Sequence, residues 1–255
     1  ALLSVTGGAQ QDRVHGGMGG LASHVAGTLE GQVRYDAPVR AIRWSEAGVE
    51  VEAGGEVFAA RRAILAIPPN QALGIAFDPP LPSNRDALWR RMPAGACIKC
   101  VAQYERPFWR ERGLSGQAVG GKLSVRVTFD NTEQGKSSGQ LLGFIEGDEA
   151  RRWSGVSAQE RRLAVLEAFA GFFGPEALAP IDYADQDWTS EPWTRGCYAA
   201  FMGPGVWTTL GHQLRQPIGP IHLAGTETAV MGYGYIEGAL EAGVRAADEV
   251  KAALA

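Results

Sequence analysis

Cysteine, basic charge and long apolar runs are all scarce in this chain, and each scarcity excludes something. There are 3 cysteines in 255 residues, too few for a disulfide framework, so free thiols in a reducing compartment are the plain expectation. Lys+Arg number 24 against 28 Asp+Glu, a net charge of −4, so no global basic field recruits nucleic acid. No apolar run is long enough to span a bilayer, and no basic stretch leading into an apolar one opens the sequence as a secretory signal would. Histidine is sparse too: His15, His24, His212 and His222 have no ligand spacing, and no metal site is expected. Glycine is what abounds, with 34 residues, roughly twice average usage. The glycines are not periodic, which excludes collagen and solenoids. They cluster at 16–20, 203–205 and 232–234, where backbone is expected to pass close to a ligand or to other backbone. Hydrophobic residues at 45% and charged residues at 20% fit one large globular domain or two modest ones with a real core.

Apolar periodicity predicts a loop over 1–20 and a helix over 19–29 through Leu21, Val25 and Leu29. Strands are expected over 33–44 and 49–52, with a hairpin at Gly54-Gly55 into Val57-Phe58. A short buried strand over 62–67 is stopped by Pro68-Pro69. Residues 83–91 read as a helix with Ser83 as N-cap. Further strands are expected over 96–104, 123–129, 140–145, 181–188 and 221–225. Residues 157–172 predict an amphipathic helix. Leu163, Leu166, Phe169 and Ala170 take its apolar side, Glu160, Arg161 and Glu167 lie elsewhere, and Ser157-Ala158-Gln159-Glu160 forms a capping box. A last helix over 235–254 aligns Glu237, Glu241, Arg245 and Glu249, with Glu241 ahead of Arg245 in the favourable order. Gly238, Ala239, Ala242, Gly243, Ala246 and Ala247 keep much of the rest small. That stripe fits close approach to a sheet or a cofactor, and equally fits simple close packing.

Several motifs fail on context. Cys97-Ile98-Lys99-Cys100 has C-x-x-C spacing but sits inside a strand without a second pair, which speaks against zinc or thioredoxin chemistry. Gly135-Lys136-Ser137 has Asp130 where a P-loop needs its first glycine. Residues 232–238 miss G-x-G-x-x-G by one position, and no βαβ unit follows them.

Other segments carry a resemblance. His222-Leu223-Ala224-Gly225-Thr226-Glu227-Thr228-Ala229 with Gly234-Tyr235-Ile236-Glu237-Gly238-Ala239 resembles the C-terminal flavin signature of the flavin-containing amine oxidases. Residues 63–69 with 77–82 resemble their mid-chain pattern. So do Ala96-Cys97-Ile98-Lys99-Cys100 with Pro107-Phe108-Trp109, and Arg195-Gly196-Cys197-Tyr198 with Gly203-Pro204-Gly205. Order and spacing agree across nearly the whole chain, and the likeness is greatest to monoamine oxidases. The family's N-terminal Rossmann unit, whose G-x-G-x-x-G holds the FAD pyrophosphate, has no counterpart among these residues. The resemblance is therefore to the C-terminal portion of such an enzyme, and FAD binding by that portion alone is open.

The resemblance implies roles residue by residue. Lys99 matches the lysine that holds a water near flavin N5; the strand pattern alone would make it an exposed lysine with a snorkelling head. Tyr198 and Tyr235 match the two aromatics that flank the substrate amine, and otherwise read as core tyrosines. Cys197 matches the cysteine that carries flavin as a thioether in monoamine oxidases, with a free buried thiol as the alternative. Gly234, Tyr235 and Ile236 would bring a helix N-terminus to the negative edge of reduced flavin. Gly225 and Thr226 would lie by the ribityl and phosphate region and Val39 near the adenine. Glu227 is expected to be a structural partner in its loop.

The implied fold is α/β with an α+β substrate region: a partial FAD-binding domain plus a mixed sheet with helices on one face. The expected division is a junction over 1–24, FAD-binding parts over 25–90 and 191–255, and a substrate-binding part over 91–190. The implied reaction oxidises an amine to an imine, with FAD as hydride acceptor and O₂ reduced to hydrogen peroxide. Expected partners are a plain amine, O₂, the nucleotide-binding half and a second copy of the chain, with no nucleic acid and no membrane, in the cytoplasm. Two other readings stand beside it. One is a desaturase or porphyrinogen-type oxidase on an apolar substrate. The other is an inactive substrate-binding or interaction module that cannot hold FAD alone.

Overall fold

The computed structural model describes all residues except 1–6, 9, 10, 13, 15, 30, 121 and 122, so His15 and part of the expected first loop lie outside the described residues. The helices are α1 (Met18–Thr28), α2 (Pro69–Ala72), α3 (Ser83–Arg90), α4 (Phe108–Glu111), α5 (Asp148–Ser154), α6 (Ala158–Phe173), α7 (Val206–Leu210) and α8 (Ile236–Leu254). The strands are β1 (Val39–Ser45), β2 (Gly48–Ala53), β3 (Glu56–Ala60), β4 (Ala63–Leu65), β5 (Ala76–Asp78), β6 (Cys97–Tyr104), β7 (Ala118–Val119), β8 (Val127–Asp130), β9 (Gly139–Glu146), β10 (Asp182–Asp187) and β11 (Ile221–Leu223). The class is mixed α/β.

Three sheets organise the chain. The first runs β3-β2-β1-β5, a meander closed by the parallel strand β5. Its β2–β3 hairpin turns on Gly54 and Gly55 at φ 59° and 83°, the double left-handed geometry that such a turn needs. The second is antiparallel, ordered β10-β6-β9-β8-β7. The third is the parallel pair β11-β4.

Alternation on the second sheet separates two faces. Ile98, Cys100, Ala102 and Tyr104 of β6 enter a core with Leu141 and Ile145 of β9, covered by Val165, Leu166, Phe169 and Phe173 of α6. Tyr104, Phe108 and Trp109 meet edge to face there, at centroid separations of 5.1–5.9 Å, a geometry favoured by the ring quadrupoles. Cys97 and Lys99 of β6, with Phe144 and Glu146 of β9, take the other face. A separate core joins Ile42, Leu88, Trp89 and Met92 to Val206, Leu214, Ile221 and Leu223. Arg85 is buried in that region and donates to the carbonyls of Gln213, Leu214 and Gln216; burial lowers its pKa to about 10.

Several local expectations need correction. The first strand starts at Val39, not at residue 33, and the later strands expected over 123–129 and 221–225 shorten to Val127–Asp130 and Ile221–Leu223. Pro82, not Ser83, holds the N-cap position of α3, and its carbonyl accepts from the N–H groups of Arg85 and Asp86. The capping box of α6 forms as its residues predict, but its buried stripe is rotated. Leu163 is exposed and Arg161 buried, because Asp185 on β10 supplies the carboxylate that a buried guanidinium requires, with contacts of 2.7 and 3.1 Å. On α8, Arg245 pairs with Glu249 at 2.6 Å, while Glu241 accepts from the Val230 N–H at 2.9 Å. Loop backbone with an unpaired donor takes the carboxylate that helix spacing assigned to Arg245.

The small stripe of α8 divides by position. Ala242 and Ala246 are fully buried where α8 lies along β11 and β4. Gly238 lies under the backbone of Gly232, where a Cβ would stand 2.3 Å from the Gly232 carbonyl oxygen. Gly243 has nothing within 4 Å of where its Cβ would be.

Candidate active site

The site begins at a seam. The segment entering β6 and the segment after β10 run antiparallel, with Ala94 bridging Ala200. The Gly95 N–H donates to the Ala199 carbonyl at 3.1 Å and the Cys197 N–H to the Gly95 carbonyl at 2.9 Å. Only glycine allows this approach. A Cβ on Gly95 would fall 2.3 Å from the Cys197 oxygen, and one on Gly196 would fall 2.4 Å from the Gly95 oxygen. The Cys197–Tyr198 peptide bond is cis.

A loop from another region completes the enclosure. Thr226 Oγ1 accepts from the Gly234 N–H at 2.7 Å and donates to the Tyr235 carbonyl at 3.1 Å, which clamps residues 232–235 at the start of α8. The buried carboxylate of Glu227 accepts from the Ala200 N–H at 3.0 Å, and the Tyr233 hydroxyl donates to the Ala200 carbonyl. Glu227 is thus a structural partner that joins its loop to the seam. Burial pushes the Tyr233 hydroxyl up to about 12, which keeps it a donor at neutral pH.

Between seam, loop and the open face of the second sheet lies a cavity of about 780 Å³. Cys97, Cys197, Tyr198, Tyr233, Gly234 and Tyr235 line it, facing Val127, Phe129 and Phe144, with Glu146 and Arg151 as its charged groups. The Tyr198 ring meets Phe144 near edge-on at 6.0 Å, and its hydroxyl donates to Glu146 Oε1 at 3.1 Å. Desolvation, then the nearby Cys97 and Glu146, raises the Tyr198 hydroxyl well above its usual range. The Cys97 thiol donates to the Tyr198 hydroxyl oxygen at 3.9 Å. The hydrogen bond from Cys197 holds the Cys97 thiol below its ordinary value and drives Cys197 the other way.

Of the residues singled out in the sequence, Cys197, Tyr198, Gly234 and Tyr235 come together at this cavity. Thr226 reaches it through the clamp, and Ile236 opens α8 with its side chain half exposed. Gly225, at φ 93°, precedes the clamp beside Ala66 and Ile67. Lys99 is exposed on the same face of β6 as Cys97, opposite Phe144 in register, and does not line the cavity. Val39 stands at the start of β1, outside the lining. Sequence reasoning missed Glu146, Phe144 and Val127. Period-two alternation on β9 carried a signal for the first two, since Phe144 and Glu146 must share a face opposite Ile145. Among the described residues no cluster of His, Cys, Asp or Glu could hold a metal, and no helix is long and apolar enough to cross a membrane.

Residues 1–251 match the family described as flavin containing amine oxidoreductase. The chain belongs to that family. It is 44% identical over 253 residues to a putative flavin-containing monoamine oxidase of Mycobacterium tuberculosis, covering 99% of this chain and 55% of the relative. It is 38% identical to amine oxidase [flavin-containing] B of Canis lupus familiaris, covering 98% of this chain and 49% of that one. A solved structure of wild-type putrescine oxidase bound to putrescine superposes with a TM-score of 0.90 at 39% identity, over 94% of this chain and 54% of that chain. This family member spans about half the length of the curated relatives it matches.

Proposed function

We propose that this chain forms the substrate-facing and flavin-facing part of an FAD-dependent oxidase that converts an amine to an imine and reduces O₂ to hydrogen peroxide. The observation that supports it most is the meeting of Tyr198, Tyr235, Cys197 and Gly234, far apart in sequence, at one aromatic-walled cavity. The fit to a flavin rests on the same place. The loop beside Tyr235 carries Gly232 and Gly234 at φ 67° and 83°, so backbone without side chains borders the cavity where a flat ring would need close approach. Tyr235, Gly234 and the first residues of α8 would hold the ring, and Cys197 would touch it, either as a thioether partner or as a free thiol. Thr226 and Gly225 would hold the adjoining chain and Val39 the adenine end. When bound, the flavin supplies a two-electron acceptor for the hydride equivalent of the amine carbon.

The residues of the chain do the rest. The faces of Tyr198 and Tyr235 receive and orient the amine and exclude water from it. The Tyr198 hydroxyl stays protonated, and its bond to Glu146 fixes the ring. Lys99, on the cavity side of β6, would hold a water for proton movement. The exposed stripe Ile236, Leu240 and Val244 on α8 fits coverage by the nucleotide-binding half that relatives of about twice this length have room for.

The test is visible absorption of the full chain after incubation with FAD, followed by anaerobic addition of benzylamine, cyclohexylamine or putrescine. Bound FAD that bleaches with an amine is expected. Bound FAD that no amine bleaches overturns the amine assignment and favours the desaturase or porphyrinogen-type reading. Failure to retain FAD favours the binding-module reading.

A further inference from the structure

One carboxylate faces the cavity, and only one of its two oxygens is engaged. Glu146 ends β9 on the same face as Phe144, opposite Cys97 in register. The Gly147 N–H donates to the Ala96 carbonyl at 2.9 Å and pins the backbone just beyond it. Glu146 Oε1 accepts from the Tyr198 hydroxyl at 3.1 Å, while Oε2 takes no hydrogen bond from the described residues. Among the described residues that line the cavity, Glu146 is the one anionic side chain. The nearby cations are placed elsewhere. Arg151 pairs with Asp148 at 3.1 Å. Lys99, diagonal to Glu146 across β6 and β9, is exposed and outside the lining. The carboxylate therefore stands without an ion-pair partner beside two aromatic rings, Tyr198 and Phe144, whose planes meet at 65°.

We propose that Glu146 sets the substrate class of this cavity: it binds the head of an amine in its ammonium form and turns away amines that carry a carboxylate on the amine carbon. An alkylammonium keeps its proton at neutral pH, as a lysine does, and has three N–H donors. One of them can reach Oε2 while the charge lies within roughly 6 Å of the Tyr198 ring centroid. Both requirements meet at one place, because the hydroxyl of that ring is bonded to the same carboxylate. Apolar walls at Val127, Phe129 and Phe144 leave little water to screen the attraction. An amino acid would bring a second carboxylate to Glu146, and like charges at close range are strongly unfavourable. A guanidinium could offset that through a two-pronged contact, but the Arg151 guanidinium donates to Asp148. Calling the cation a substrate rests on the amine oxidase reading; its binding does not.

The test is calorimetry on the full chain without flavin, with three matched ligands. They are 2-phenylethylamine, its uncharged isostere 2-phenylethanol, and L-phenylalanine, which is the same amine with a carboxylate on the amine carbon. The amine should bind about 10–100-fold more tightly than either of the others, the range that a hydrogen bond to a charged group supplies. Glu146→Gln keeps an acceptor for the Tyr198 hydroxyl and removes the charge. It should weaken 2-phenylethylamine by a similar factor, leave 2-phenylethanol unchanged and close the gap to L-phenylalanine. Glu146→Asp, which keeps the charge, should retain the order of the three ligands. Equal affinity of the parent chain for amine and alcohol, tighter binding of L-phenylalanine, no binding of the amine in the millimolar range, or an unaltered order in Glu146→Gln overturns the proposal. Flavin that no amine bleaches, with the order of affinities intact, overturns the oxidase reading alone.

Discussion

Replacing two glycines of one helix with alanine should have opposite effects. Gly238 and Gly243 both lie within α8, and neither has positive φ, so alanine gains helix propensity at each, about 1 kcal/mol. At Gly243 nothing lies within 4 Å of the new methyl, and the gain stands. At Gly238 the methyl would stand 2.3 Å from the Gly232 oxygen, 2.7 Å from its carbonyl carbon and 2.9 Å from the Met231 oxygen. All three are backbone atoms, so the loop must move by about 1 Å to restore van der Waals contact. Overpacking of this kind typically costs about 1–3 kcal/mol. G238A should therefore fall about 1–3 kcal/mol below G243A, and G243A should exceed the parent by up to about 1 kcal/mol. Urea unfolding followed by tryptophan fluorescence measures both, and a difference of that size shifts the thermal midpoint by about 2–4 °C per kcal/mol. Equal midpoints for the two variants would refute the reasoning. They would mean that the Gly232 loop is free to yield, and that the start of α8 does not set its position.

Asp185→Asn should cost about 3–5 kcal/mol, because it strands the Arg161 guanidinium behind the second sheet, where its side chain is 11% exposed. The pair Arg161→Met with Asp185→Leu should recover most of that loss in urea unfolding, and a single-variant loss below about 1 kcal/mol contradicts the buried-pair reading. Asp130 is partly desolvated, which raises its pKa. Hydrogen bonds from Arg110, Thr132 and Trp109 outweigh this and leave it below its ordinary 3.8. Its contribution is present above the unfolded value and lost as pH falls through the lower folded one. Asp130→Asn should accordingly weaken the protein at pH 6 and flatten its loss of stability on acidification from pH 4 downward; an unchanged acid profile counts against it.

Much of the local structure was legible because its causes are local. The α6 capping box needs only Ser157 and Glu160 three residues apart, and the β2–β3 hairpin needs only two glycines in left-handed geometry. The face of α6 was misread because burial of Arg161 depends on Asp185, a residue on another element. Arg245 exchanged partners for a similar reason: the backbone N–H of Val230 competes for Glu241, and helix spacing carries no information about a loop that folds onto it. Alternation sends the sulfurs of Cys97 and Cys100, despite their C-x-x-C spacing, to opposite faces of β6. The partner that the Cys97 thiol does have, the Tyr198 hydroxyl, is visible only once the seam has formed.

By itself the sequence determined the mixed α/β class, the β2–β3 hairpin, the capped start of α6, and membership of the flavin containing amine oxidoreductase family, because propensity, capping and ordered motifs are written in neighbouring residues. Tertiary structure alone decided which side chains share the cavity. Tyr198 and Tyr235 reach it from the seam and from the loop before α8, Phe144 and Glu146 from the open face of a sheet. No periodicity links those segments. Their meeting depends on glycines that let backbone touch backbone at Gly95, Gly196 and Gly238, and on Glu227 and Thr226 holding the loops to each other.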